Sequence, residues 1–71
     1  MTYDYSKLLG KITEVFGTRE KFSKAMGLSK RTMSLKLNAK VGWKQDEIVQ
    51  ACELLDIAEC DIHDYFFNFK V

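Results

Sequence analysis

The stretch from Thr18 to Asn38 constrains the fold more than any other part of the chain. It reads as a helix, a glycine, a cap and a second helix. Thr18 is an N-cap residue, and Glu20 suits the positive end of the helix dipole. Phe22, Ala25 and Met26 mark an apolar face. Gly27 can take positive φ, which ends a helix and turns the chain sharply. Leu28 can pack back beneath that turn. Ser29 then caps a helix over Lys30 to about Asn38, with Met33 and Leu37 inward at i, i+4. Ser23, four residues before Gly27, leaves room where the two helices cross. Such a pair is a helix-turn-helix, whose second helix can enter the DNA major groove.

Helical spacing extends on both sides. Leu8, Leu9, Ile12, Val15 and Phe16 share one face of a helix from about Tyr5 to Phe16, capped by Asp4 and ended by Gly17. Gly10 inside it suggests a close helix crossing. After a loop from Ala39 to Trp43, in which Gly42 is free to take positive φ, a fourth helix runs from about Lys44 to Leu55. Its stripe is Ile48, Ala51, Cys52 and Leu55. A short fifth helix covers about Glu59 to Tyr65. Phe67, Phe69 and Val71 then alternate, which is strand spacing.

A chain of 71 residues makes one domain, 1–71. A domain this small buries only about 60% of its unfolded surface, so every apolar face must be used. The N-terminus MTYDYSKLLGK has no apolar h-region, and no run approaches a membrane span. A cytoplasmic protein is expected, with Cys52 and Cys60 reduced. The net charge of +1 hides a division. Residues 18–44 hold eight bases and one acid, a net of +7; residues 45–71 hold seven acids and one base, a net of −6. A basic stripe is the footprint of a nucleic-acid binder. The acidic half argues against wrapping DNA all round and offers a surface to a basic partner.

With the motif go further runs: Ser34-Leu-Lys-Leu-Asn38, Gly42-Trp-Lys-Gln-Asp-Glu-Ile48 and the Tyr65-Phe-Phe ending. The helix-turn-helix resembles that of the lambda-type phage repressor and Cro family, and the helix order is similar over nearly the whole chain. The three runs resemble, more narrowly, short regulators of temperate phages that act in the lysis–lysogeny switch of Gram-positive hosts. That group includes the modulator-of-repression antirepressor, which pairs with the phage CI repressor. The resemblance implies an all-α, compact five-helix lambda-repressor-like domain with a central helix-turn-helix. It implies a CI-type repressor and double-stranded operator DNA as partners, a possible homodimer, and no cofactor.

The resemblance also assigns roles. Arg19 falls where the family has a phosphate-contacting polar residue. Ser29, Lys30, Arg31, Ser34 and Leu35 fall on DNA-facing positions. The helical wheel adds that Arg31, Thr32, Leu35 and Asn38 face outward if Met33 and Leu37 face inward. Arg31 can donate two hydrogen bonds to a guanine edge, while Lys21, Lys24, Lys36 and Lys40 can neutralise phosphates. One departure stands out. Three residues after Met33 the family often has a second apolar core residue, and here that place holds Lys36. Leu35 then points away from the core, to touch a thymine methyl or to anchor a protein contact.

Blander readings stand beside these. Lysines on a helix are often a solvated face. Cys52 reads as core, and Cys60 with His63 falls short of the four ligands of structural zinc. The aromatic tail is either core filling or a dimer patch. Trp43 is either a plug over the core or a partner anchor. Catalysis is not expected, since no nucleophile sits with a base and there is no phosphate loop. The favoured function is a lytic-promoting antirepressor that binds the CI repressor. The alternative is a Cro-like homodimeric operator-binding repressor, and a small antitoxin is a third class.

Overall fold

A computed structural model describes residues 3–69. The fold is all-helical: α1 (Ser6–Phe16), α2 (Arg19–Met26), α3 (Lys30–Leu37), α4 (Gln45–Leu55) and α5 (Ile62–Phe66), with one 3-10 turn, Glu59–Asp61, leading into α5. No described helix is long and apolar enough to cross a membrane.

The core forms where the five apolar stripes converge. Leu8, Ile12, Phe22, Met33, Leu55 and Phe66 are almost wholly enclosed. Leu9, Phe16, Leu28, Ile48 and Tyr65 pack around them. The Phe16 and Phe22 rings meet at 5.4 Å, joining α1 to α2. Two residues assigned to the apolar faces lie outside this core: Val15 is 46% exposed and Ala25 is exposed. Cys52 is buried on its stripe, as expected, and burial pushes its thiol pKa up.

Helix ends follow local chemistry. Asp4 does not sit at the N-cap, which is Tyr5, yet its carboxylate accepts the Ser6 N–H at 2.9 Å. Thr18 Oγ1 accepts from the Lys21 N–H at 3.2 Å. At the end of α2, Gly27 has φ 73°, its N–H reaches the Lys24 carbonyl, and the Leu28 N–H reaches the Ser23 carbonyl. This is a Schellman turn, which satisfies the last carbonyls of α2 and throws the chain toward α3. The same turn closes α3, but the left-handed residue there is Ala39 (φ 59°), not Gly42. It closes α4 at Asp56 (φ 54°).

No close crossing accounts for Gly10. It is exposed, and a methyl group at its Cβ position would meet nothing within 4 Å. Gly10→Ala should therefore raise stability by about 1 kcal/mol, by removing the conformational freedom of glycine from a helix interior. A shift in the urea midpoint measures it, and a lower midpoint would mean that the position is constrained.

The tail pairs with the N-terminus. Phe69 bridges Tyr3 in antiparallel fashion, and the Asp4 N–H donates to the Asn68 carbonyl at 2.6 Å. Phe66 fills the core, but Phe67 and Phe69 do not; they stand 39% and 50% exposed around Tyr3. Val71 lies outside the described residues.

Candidate nucleic-acid and partner interface

The α2–α3 unit builds the site from its backbone outward. Ser29 caps α3: its Oγ accepts the Thr32 N–H at 3.1 Å and donates to Thr32 Oγ1 at 2.9 Å. The Ser29 and Thr32 hydroxyls are thus engaged with each other, and Thr32 is half-buried. Ser23 is buried beneath the turn, its hydroxyl donating to the Arg19 carbonyl at 2.8 Å. With this small residue at the crossing, the two helices leave an open concavity of about 390 Å³ on their outer side.

Four residues expected at the site meet there. Arg19, Lys30, Arg31 and Ser34 line the concavity, with Met33 at its base. Sequence reasoning missed a fifth member, Glu20, assigned only to the helix dipole. Glu20 also lines the concavity, and its carboxylate lies 3.7 Å from Lys30 Nζ. Both side chains are more than half exposed, so this pair contributes little to stability. It does orient Lys30 and offsets part of the local positive charge. The Glu–Lys pairing across the turn was open to inference once the two helices were placed.

Other expected residues are dispersed. Asn38 faces a second concavity, of about 320 Å³, beside Tyr3, Ser6 and Leu9. Its side-chain amide donates to Ser34 Oγ at 3.3 Å, which ties it back to the exposed face. Leu35 is half-buried and is not among the apolar residues packed on the core. Its carbonyl accepts from both Lys40 and Val41, so the chain folds back beside it. Lys21, Lys24 and Lys40 are exposed.

Lys36 must be removed from the phosphate-contacting set. It is 3% exposed, and its Nζ lies 2.7 Å from Glu47 Oε1 and 2.9 Å from the Gly42 carbonyl. Lys36 occupies the inward position three residues after Met33, where an apolar side chain would ordinarily sit. Its stem fills that place, and its ammonium finds an acceptor on each of two neighbouring segments. The pair ties α3 to α4 and to the intervening loop. Trp43, above the same ammonium, packs edge-on against Phe66 at 5.2 Å and serves as a plug over the core.

Glu47 responds to this setting. Burial alone would raise its pKa, but hydrogen bonds from the Lys36 ammonium and the Lys44 N–H outweigh burial and hold it below the ordinary value. A depressed carboxyl stabilises the fold above its unfolded pKa, near 4.5, and loses that contribution as pH falls through the lower folded value. Unfolding stability should therefore decline below about pH 5, and Glu47→Gln should flatten the decline. An unchanged slope in the variant would assign the acid sensitivity to other carboxylates.

Comparisons with known proteins agree with this placement of elements. A family model described as "Protein of unknown function (DUF739)" matches residues 1–69. No curated protein matches. Among solved structures, the chain is similar to the modulator of repression (MOR) of the temperate bacteriophage TP901-1 from Lactococcus lactis, known from a solution structure. The two share 62% sequence identity and superpose with a TM-score of 0.84, covering 100% of this chain and 96% of that one. Matched almost from end to end, the chain belongs to the DUF739 family.

Proposed function

We infer that the chain is a phage repression-switch regulator that favours the lytic choice. It acts as an antirepressor: its α2–α3 edge binds a CI-type repressor and contacts operator DNA, alone or within that complex. One observation carries the reading. The edge keeps Arg19, Lys30, Arg31 and Ser34 around an open concavity, in a chain 62% identical to a protein named as a modulator of repression.

The chemistry of the edge suits this role. The Arg31 guanidinium is a planar fork that can grip a guanine edge or a carboxylate with two hydrogen bonds. Lys21, Lys24 and Lys40 supply charge that sets affinity without reading sequence. Leu35 offers a small apolar contact beside that charge. Ser29 and Thr32 hold the start of α3, and Asn38 with Ser34 extends the polar edge.

A gel shift on operator DNA tests it, comparing this chain alone, its cognate repressor alone, and the two together. The antirepressor reading expects weak binding alone and a released or remodelled repressor complex in the mixture. A repressor band untouched by the added chain would refute it.

A second reading is a Cro-like operator-binding repressor acting as a homodimer. The exposed cluster of Tyr3, Phe67 and Phe69 favours it as a surface between copies. That protein would bind operator tightly by itself, with log affinity falling steeply against log salt.

A further inference from the structure

Residues 45–69 carry charge of one sign: seven carboxylates and no lysine or arginine. Glu47 and Asp64 are matched by Lys36 and Lys7. Glu53, Asp56 and Glu59 form no ion pair among the described residues. All three stand around one concavity of about 280 Å³, between the end of α4 and the 3-10 turn. Its floor is apolar, made by Ile57, Ile62 and the half-exposed Val49.

The field of α4 makes this rim costly as it stands. Glu53 and Asp56 lie at the C-terminal end of α4, the negative pole of the helix dipole, and no base stands in its last turn. Asp56 also holds the left-handed position that Gly27 fills in the matching turn of α2. Glycine at Asp56 would relieve both the backbone and the field. Carboxylates set against the negative pole of α4, beside an open apolar floor, point to a use outside folding.

We propose that this acid-rimmed groove docks a cationic amphipathic helix of a partner protein. Aliphatic side chains at i and i+4 of that helix seat on Val49, Ile57 and Ile62. Its lysine or arginine groups reach Glu53, Asp56, Glu59 and the carbonyl end of α4. The sign of the rim repels nucleic acid and anionic membrane surfaces. The groove shares no lining residue with the α2–α3 concavity, so the inference does not depend on what the basic edge binds.

Two labelled synthetic helices of about 16 residues, long enough to populate helix when bound, provide the test. Both carry leucine at i, i+4 and i+7; one has lysine at the flanking positions and the other glutamate. Fluorescence anisotropy should show the lysine helix binding at least about tenfold more tightly, with affinity falling as salt rises. Asp56→Gly should melt at a higher temperature than the native chain and yet bind the lysine helix several-fold more weakly. Glu53→Lys combined with Glu59→Lys should abolish binding. Three results would overturn the proposal: equal binding of the two helices, lysine-helix binding that survives the double charge reversal, or a dimer in sedimentation that the reversal disrupts, which would make a second copy the occupant.

Discussion

Lys36→Ala should destabilise the protein by about 3–5 kcal/mol, the usual penalty for removing one partner of a buried ion pair. Total stability for a domain of this size is on the order of 4–10 kcal/mol, so the variant should be partly unfolded at room temperature. The cause is not chiefly a lost attraction. Glu47 is left with a carboxylate that is 13% exposed and has only the Lys44 N–H to bind, the Gly42 carbonyl loses its donor, and a cavity opens beneath Trp43. Lys36→Met together with Glu47→Gln should recover most of the loss. Methionine refills the apolar place, and the glutamine carbonyl still accepts the Lys44 N–H. Urea denaturation of the native chain, the single variant and the double variant measures both terms. If Lys36→Ala unfolds within about 0.5 kcal/mol of the native chain, as a surface substitution would, Lys36 is not the buried clamp described here.

Arg31→Ala should leave folding almost untouched and damage function. The side chain is exposed on α3, so its truncation should move stability by no more than about 0.5 kcal/mol. A bidentate arginine contact is worth about 1–3 kcal/mol of discrimination, which corresponds to roughly 5- to 150-fold in affinity. With the α2–α3 edge as the proposed working face, binding of the repressor, of operator DNA, or of their joint complex should fall by that factor. Lys24→Ala is the contrasting change. Lysine facing a phosphate should weaken DNA binding about equally across sequences and lower the salt slope by about 1. If Arg31→Ala left every complex intact, the working face would have to lie elsewhere on the molecule.

Much of this architecture is legible along the chain because capping chemistry and helical spacing agree. Thr18, Gly27 and Ser29 each do locally what their residue types favour, and α2 begins and ends where they place it. The errors have physical causes. Residue type leaves Gly42 free to take positive φ, but the turn closing α3 needs its left-handed residue directly after Asn38, and that position is Ala39. The charge of Lys36 pointed to solvent, while its spacing from Met33 pointed inward. Spacing prevailed because Glu47 and Gly42 supply acceptors, and no pattern within one helix reveals a partner eleven residues away. Of the tail's alternation, the described residues keep one bridge, Phe69 with Tyr3; Phe67 is the C-cap of α5, with ψ 26°, and is not extended. Which aromatics the tail exposes depended on pairing with Tyr3, a contact between chain ends that local periodicity does not encode. At the candidate site, Arg19, Lys30, Arg31 and Ser34 share one concavity, whereas Asn38 turns toward another.

Titrating the isotope-labelled chain with the CI-type repressor proposed as its partner, and following each backbone amide by NMR, is the most direct trial of the α2–α3 edge as the working surface. Amides of Arg19, Lys30, Arg31, Ser34 and Leu35 should shift or broaden first and saturate at a defined stoichiometry. Perturbations confined to α4 and α5, with those five amides unmoved, would contradict the account.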